Sequence, residues 1–180
     1  HFPYPVIDVD GAEADDVIGA LAEYSQTSNL DGLLPSAEPF LVLSGDHDFN
    51  QLQKWSNVKQ YAPVQKKFVK LTDKPEAVLM EHIIMGDKGD GVPNILSDDD
   101  TFVTGSRQRP MKKDKVAEWK HQKPEDFITS DEMWRNFQRN RELVDLSRIP
   151  EDIKEAIIDS YEKQKGGDRS GLLNYFIANR

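Results

Sequence analysis

The chain contains no cysteine, which excludes disulfide staples and thiolate metal sites and fits a reducing, cytoplasmic setting. No apolar run approaches the roughly 20 residues that a membrane span needs, so no membrane partner is expected. Position 1 is not Met, and neither a signal-peptide pattern nor a targeting motif is present. The text opens directly on a strand-like run, Tyr4-Pro5-Val6-Ile7-Asp8-Val9, which we read as the continuation of a missing upstream segment. One further absence is informative. The first fifty residues hold ten Asp or Glu and not one Lys or Arg.

What is present bounds the answer from the other side. With 180 residues, 37% of them hydrophobic, there is material for one domain of ordinary size or a domain with a small appendage, and wholesale disorder is excluded. The net charge of −9 argues against a nucleic-acid partner until its distribution is followed. Residues 51–180 hold 22 acids and 23 bases and come to +1, so the acidity is confined to the start. A local block of carboxylates is what a hard-cation site looks like in sequence. Residues 102–123 run the other way: Arg107, Arg109, Lys112, Lys113, Lys115, Lys120 and Lys123 stand against Asp114 and Glu118, giving +5. One acidic pole and one basic stretch suit metal at the first and phosphate backbone at the second. For either stretch alone, a solvated surface is the simpler account.

The first third alternates strand and helix. A strand at about 4–9 leads into a helix at about 12–27 with the apolar stripe Ala14, Val17, Ile18 and Leu21. After a loop at 28–39, Phe40-Leu41-Val42-Leu43 reads as a strand covered on both faces. A short helix at about 48–54 and strand-like 58–62 and 67–71 complete an α/β pattern, expected to form a mostly parallel sheet flanked by helices. From residue 75 the chain reads as helical, at 76–85, 112–121, 130–147, 151–164 and 170–178, with a polar stretch at 86–110. The expected organisation is therefore an α/β portion at 1–74 and a helical region at 75–180.

Three acidic clusters carry the candidate chemistry: Glu13-Ala14-Asp15-Asp16 opening the first helix, Ser44-Gly45-Asp46-His47-Asp48 just after the buried strand, and Gly86-Asp87-Lys88-Gly89-Asp90-Gly91. Asp46 and Asp48 sit at the carboxyl end of a strand, the edge of an α/β sheet where ligands bind. Glu13 with Asp16, and Asp87 with Asp90, share a face if helical. Seven carboxylates gather in one site only if cations neutralise them. Oxygen-only donors suit Mg²⁺ or Mn²⁺, and two such ions can activate water and stabilise the leaving oxygen of a phosphodiester. Each cluster alone has an ordinary account: helix caps for Glu13, Asp15 and Asp16, turn residues for Asp46 and Asp48, a loop for Asp87 and Asp90. Trp55, Trp119 and Trp134 read as core, Lys66, Lys67 and Lys70 as the wet face of a strand, and His47 as an exposed turn residue.

The runs EADDVIGALA, SGDHDFNQL and GDKGDGVPNI, in that order, resemble the 5′-nuclease superfamily of flap endonucleases and 5′–3′ exonucleases. SNVKQYAPVQKKFVKL and RELVDLSRIPEDIKEAIIDSY resemble its T-even phage ribonuclease H branch. The likeness runs from about residue 4 to 178. It implies metal ligation by Glu13, Asp15, Asp16, Asp46, Asp48, Asp87 and Asp90, with Asp15, Asp16, Asp46 and Asp48 catalytic. It implies Mg²⁺-dependent removal of RNA or DNA from 5′ ends and flaps in phage DNA replication. A helix–hairpin–helix-like element after the third cluster would grip the duplex, with Lys88, Arg107, Arg109, Lys112, Lys113 and Lys115 as contacts. A single-stranded-DNA-binding protein or a separate N-terminal nuclease chain stand open as partners. The family's opening strand with its Asp, and its helical arch, have no counterpart here, and Asn94–Pro110 replaces the usual Gly-rich hairpin. Cleavage by this chain therefore competes with a non-catalytic DNA-structure binder or half-protein, and more distantly with a PIN-like ribonuclease.

Overall fold

The computed structural model describes residues 4–27, 37–166 and 175–177. Helix α1 spans Ala14–Tyr24 and buries Gly19, Ala20 and Ala22. The expected stripe of larger residues is only half-buried, because small residues are what permit close approach. A Cβ on Gly19 would stand 3.1 Å from Ile149 Cδ1 and 3.3 Å from Leu146 Cβ. Strand β1 (Phe40–Leu43) runs parallel to β2 (Val58–Ala62), which pairs antiparallel with the two-residue β3 (Lys67–Phe68). Among the described residues the sheet is thus small and mixed, its longer pairing parallel and its shorter one antiparallel.

Two strand expectations are corrected. Residues 4–9 join no sheet; Val6 instead donates to Gln164 Oε1 at 2.9 Å and accepts from Gln164 Nε2 at 3.0 Å. A side-chain amide there takes the place of a neighbouring strand. Nor is β1 covered on both faces. Val42 is buried with Phe49, Leu52 and Val58, but Leu41 is 52% and Leu43 66% exposed.

A 3₁₀ helix at Asp48–Lys54 follows β1, and α2 (Pro75–Met85) packs against it. Proline at the first turn suits a helix start, where its missing N–H is not needed. An irregular stretch at 86–112 connects α2 to α3 (Lys113–Trp119); α4 (Pro124–Phe127), α5 (Asp131–Val144) and α6 (Glu151–Gln164) follow. Ser130 caps α5 by accepting from Met133 N at 3.2 Å. The second apolar core lies among Ile83, Ile84, Ile95, Phe127, Met133 and Phe137. Trp119 packs on it and stacks with Phe127, Trp55 packs on the first core, and Trp134, stacked on Phe137, keeps an exposed edge.

The connector is tied down by side chains rather than by a backbone ladder. Fully buried Asn140 donates to Ile83 O and Pro93 O, both at 2.8 Å, and Asn136 donates to Ile95 O and Ser97 O. Buried carbonyls without helix or sheet partners need such donors. The helix expected at 170–178 lies largely outside the described residues; 175–177 are helical. No helix among the described residues is long and apolar enough to cross a membrane.

Candidate functional site

The first cluster divides by role. Asp16 Oδ2 accepts from the Glu13 N–H at 2.9 Å, forming a capping box with the Glu13 side chain. Asp15 stands outside that box. Burial raises its carboxyl pKa, and the negative charges of Asp46, Glu13, Asp90 and Asp16 raise it further. Asp15 is therefore the acid of α1 that shares a field with the other two clusters.

The second cluster is shaped by its own turn. Ser44 Oγ accepts from Asp46 N at 3.1 Å, and Asp46 Oδ1 accepts from Asp48 N at 3.2 Å. From beneath, Gln60 of β2, 1% exposed, donates to Ser44 O at 3.0 Å and to Asp46 O at 2.6 Å. Gln51 donates to Asp48 O and to Val144 O, both at 2.9 Å, linking this turn to the end of α5. The Asp48 carboxyl is pushed up to about 6 by burial, which outweighs the lowering by His82 and is helped by Asp46, Asp15 and Asp90. Asp48 Oδ1 is buried without a hydrogen-bond partner among the described residues; His82 Nδ1 lies 3.1 Å away, at ion-pair distance but without hydrogen-bond alignment.

The third cluster begins where α2 ends. Gly86 adopts φ 67° and ψ −176°, where the chain turns back so tightly that a Cβ would lie 2.3 Å from Val92 O. Asp87 Oδ1 accepts from Gly89 N at 2.6 Å and from Asp90 N at 3.4 Å. Burial pushes the Asp87 carboxyl up, but those two N–H groups and His82 outweigh it and hold it below the usual range.

The structure brings acids of the three clusters near one another: the charges of Asp46 and Asp90 bear on both Asp15 and Asp48, and His82 lies between Asp48 and Asp87. Glu13 and Asp16 lie at the rim, partly engaged in capping. A hard divalent cation fits the donor chemistry, since all the donors are carboxylate oxygens, two are raised in pKa by crowding and burial, and one buried oxygen lacks a donor. The spacing is open. Among the described residues no three His, Asp or Glu close around one point at metal-ligating range.

His82 was not singled out by sequence reasoning; its only signal is its place one turn before the Gly-Asp of the third cluster. The basic stretch is also sorted by the structure. Arg109 is paired with Glu132 at 3.1 Å and approaches Asp98 at 3.9 Å, and Lys120 is held by Asp73 and Glu81. Arg107, Lys112 and Lys113 are exposed, and Lys115 lies over the Trp119 ring. Lys88 is exposed beside Asp87. A cleft of about 700 Å³ borders the second cluster through Gly45 and His47 and is lined by Lys67, Phe68 and Lys70, but by none of the seven acids.

The model of the T4 RNase H C-terminal family matches residues 73–180. Ribonuclease H of Enterobacteria phage T4 is 32% identical over 182 residues, covering 98% of this chain and 57% of that protein. A structure of the T5 D15 protein, co-crystallized with metal ions, shares the fold with a TM-score of 0.51 at 16% identity, covering 88% of this chain and 63% of the other. The chain thus spans little more than half the length of the curated relative it matches.

Proposed function

This chain belongs to the T4 RNase H C-terminal family, and so to the 5′ nucleases, and we propose from that premise that it carries the metal-binding part of a Mg²⁺- or Mn²⁺-dependent 5′–3′ exonuclease and flap endonuclease acting on DNA or RNA–DNA duplexes. The observation that carries the reading is that Asp15 and Asp48, from separate stretches of chain, both have carboxyls raised by burial and by the charges of Asp46 and Asp90, with His82 standing between Asp48 and Asp87. Negative charge crowded around two partly buried carboxyls is relieved by a bound cation, which a helix cap alone does not call for. Asp15, Asp46 and Asp48 would hold the metal, with Asp87 and Asp90 at a second position and Glu13 and Asp16 at the margin. Bound divalent cations would supply an activated water and charge stabilisation at the leaving oxygen. Arg107, Lys112, Lys113 and Lys115 are the residues we assign to the duplex backbone, with Lys88 beside the acids; Arg109, already paired, contributes less.

A second reading is favoured by the exposed Leu41 and Leu43 on β1, an apolar strand face left to solvent. On that reading the chain binds metal and DNA but cleaves only with a separate N-terminal chain seated on that face. A Mg²⁺-dependent assay on a 5′-flap DNA and an RNA–DNA duplex separates the two. Cleavage by the chain alone, lost in Asp46→Asn, supports the first. Mn²⁺ binding without cleavage supports the second, and no cation binding at all sinks both.

A further inference from the structure

One side chain between the acids belongs to none of the three clusters. His82, on the last turn of α2, is 16% exposed, with Nδ1 3.1 Å from Asp48 Oδ1 and Nε2 3.3 Å from Asp87 Oδ2. Asp48 opens the 3₁₀ helix after β1, whereas Asp87 follows the glycine that ends α2. A rigid five-membered ring with a carboxylate at each nitrogen acts as a spacer. The ring meets Asp87 at hydrogen-bonding distance and Asp48 at ion-pair distance, and so occupies the gap between the two acids.

The remaining anchors of the two acids are local. Asp48 is placed through its backbone, its N–H donating to Asp46 Oδ1 and its carbonyl accepting from Gln51. Asp87 Oδ1 is taken by the N–H groups of its own turn, which leaves Oδ2 toward His82. Neither set of contacts reaches across from one cluster to the other. We infer that His82 is a positioning residue that sets the separation of the second and third acid clusters, and with it how Asp48 and Asp87 receive a divalent cation. The inference rests on the metal-binding reading above. Partners that orient metal-ligating side chains from behind are typically worth roughly 10–100-fold in affinity.

The test compares Mn²⁺ affinity, by electron paramagnetic resonance, of the full chain with His82→Leu, His82→Gln and Asp46→Asn, alongside urea melts in EDTA. Leu fills the space of the ring without either polar contact, and Gln keeps one donor. We expect His82→Leu to bind Mn²⁺ roughly 10–100-fold more weakly, with His82→Gln recovering part of the loss. A merely structural histidine would shift the melts and leave affinity alone, or lower it equally in both variants. Wild-type affinity in His82→Leu, or equal losses in the two, overturns the role while leaving the metal site intact. Should His82→Leu not fold, wild-type affinity in His82→Gln overturns the role, and a partial loss supports it. A wild-type chain that binds no Mn²⁺, or an Asp46→Asn change without effect, overturns the underlying metal reading and this role with it.

Discussion

Replacing Gly86 by alanine tests whether the turn that presents Asp87 is as tightly determined as its geometry indicates. At φ 67° and ψ −176° the backbone lies in a region that is essentially glycine-only, and forcing a side chain there costs about 1–3 kcal/mol. The added methyl would also sit 2.3 Å from Val92 O and 2.7 Å from Pro93 C and O. Those atoms are backbone, so no rotamer change relieves the contact, and overpacking of that kind adds about 1–3 kcal/mol. The two effects together come to roughly 4 kcal/mol, which for a chain of this size lowers the melting temperature by roughly 8–16 °C. Gly91 is the matched control. It too has positive φ, 78°, but nothing lies within 4 Å of its added Cβ, so Gly91→Ala should cost only the conformational part, about 1–2 kcal/mol. Urea and thermal melts in EDTA measure both variants. If Gly86→Ala falls within about 1 kcal/mol of Gly91→Ala, the low end of what overpacking costs, the close return of the chain at Val92 and Pro93 is wrong.

Stability should also depend on pH through Asp48. Its carboxyl rises from 3.8 unfolded to about 6 folded, so the native state favours the protonated form. The charged form's penalty is absent below pH 4, grows between pH 4 and 6, and is complete above; at about 1.4 kcal/mol per unit it reaches on the order of 3 kcal/mol. Urea midpoints in EDTA should therefore improve in Asp48→Asn relative to wild type as pH rises from 4 to 7, and a difference that stays flat with pH refutes the assignment. Asn140→Ala should cost roughly 3 kcal/mol, because it strands the carbonyls of Ile83 and leaves Pro93 with fewer donors in a buried site; a loss below 1 kcal/mol in a urea melt, about the value of one ordinary hydrogen bond, would count against that network. The double change Lys112→Ala with Lys113→Ala should reduce the slope of log affinity against log salt by about 2 for a 5′-flap duplex, measured by anisotropy in EDTA. An unchanged slope removes α3 from the interface.

The acid clusters were legible because carboxylate density is a local property. Three short windows hold Glu13 to Asp16, Asp46 to Asp48 and Asp87 to Asp90, and each stands beside a helix or strand end that periodicity and capping residues mark. The same locality made β1, α2, α5 and α6 readable, since apolar spacing and a Ser or Pro start signal lie within one turn of each. Failures came wherever an answer depended on a partner far away in the chain. Residues 4–9 have a strand's alternation, but a strand exists only when another pairs with it, and Gln164 occupies that place. Leu41 and Leu43 read as buried, yet burial is conferred by whatever packs above, and they lie open. Likewise, nothing in the sequence marks the pairing of Arg109 with Glu132 at 3.1 Å.

The amino-acid order by itself therefore determined which side chains are available: three clusters of carboxylates, a basic stretch, and the family likeness that joins them. Only the tertiary structure decided how they meet. It assigned Asp16 to a helix cap and Asp15 to the shared field, buried Asp48 until its carboxyl resists ionising, and placed His82 between acids 39 positions apart in number. Distance along the chain carries no information about such encounters, because the fold that produces them is a compromise over every contact at once.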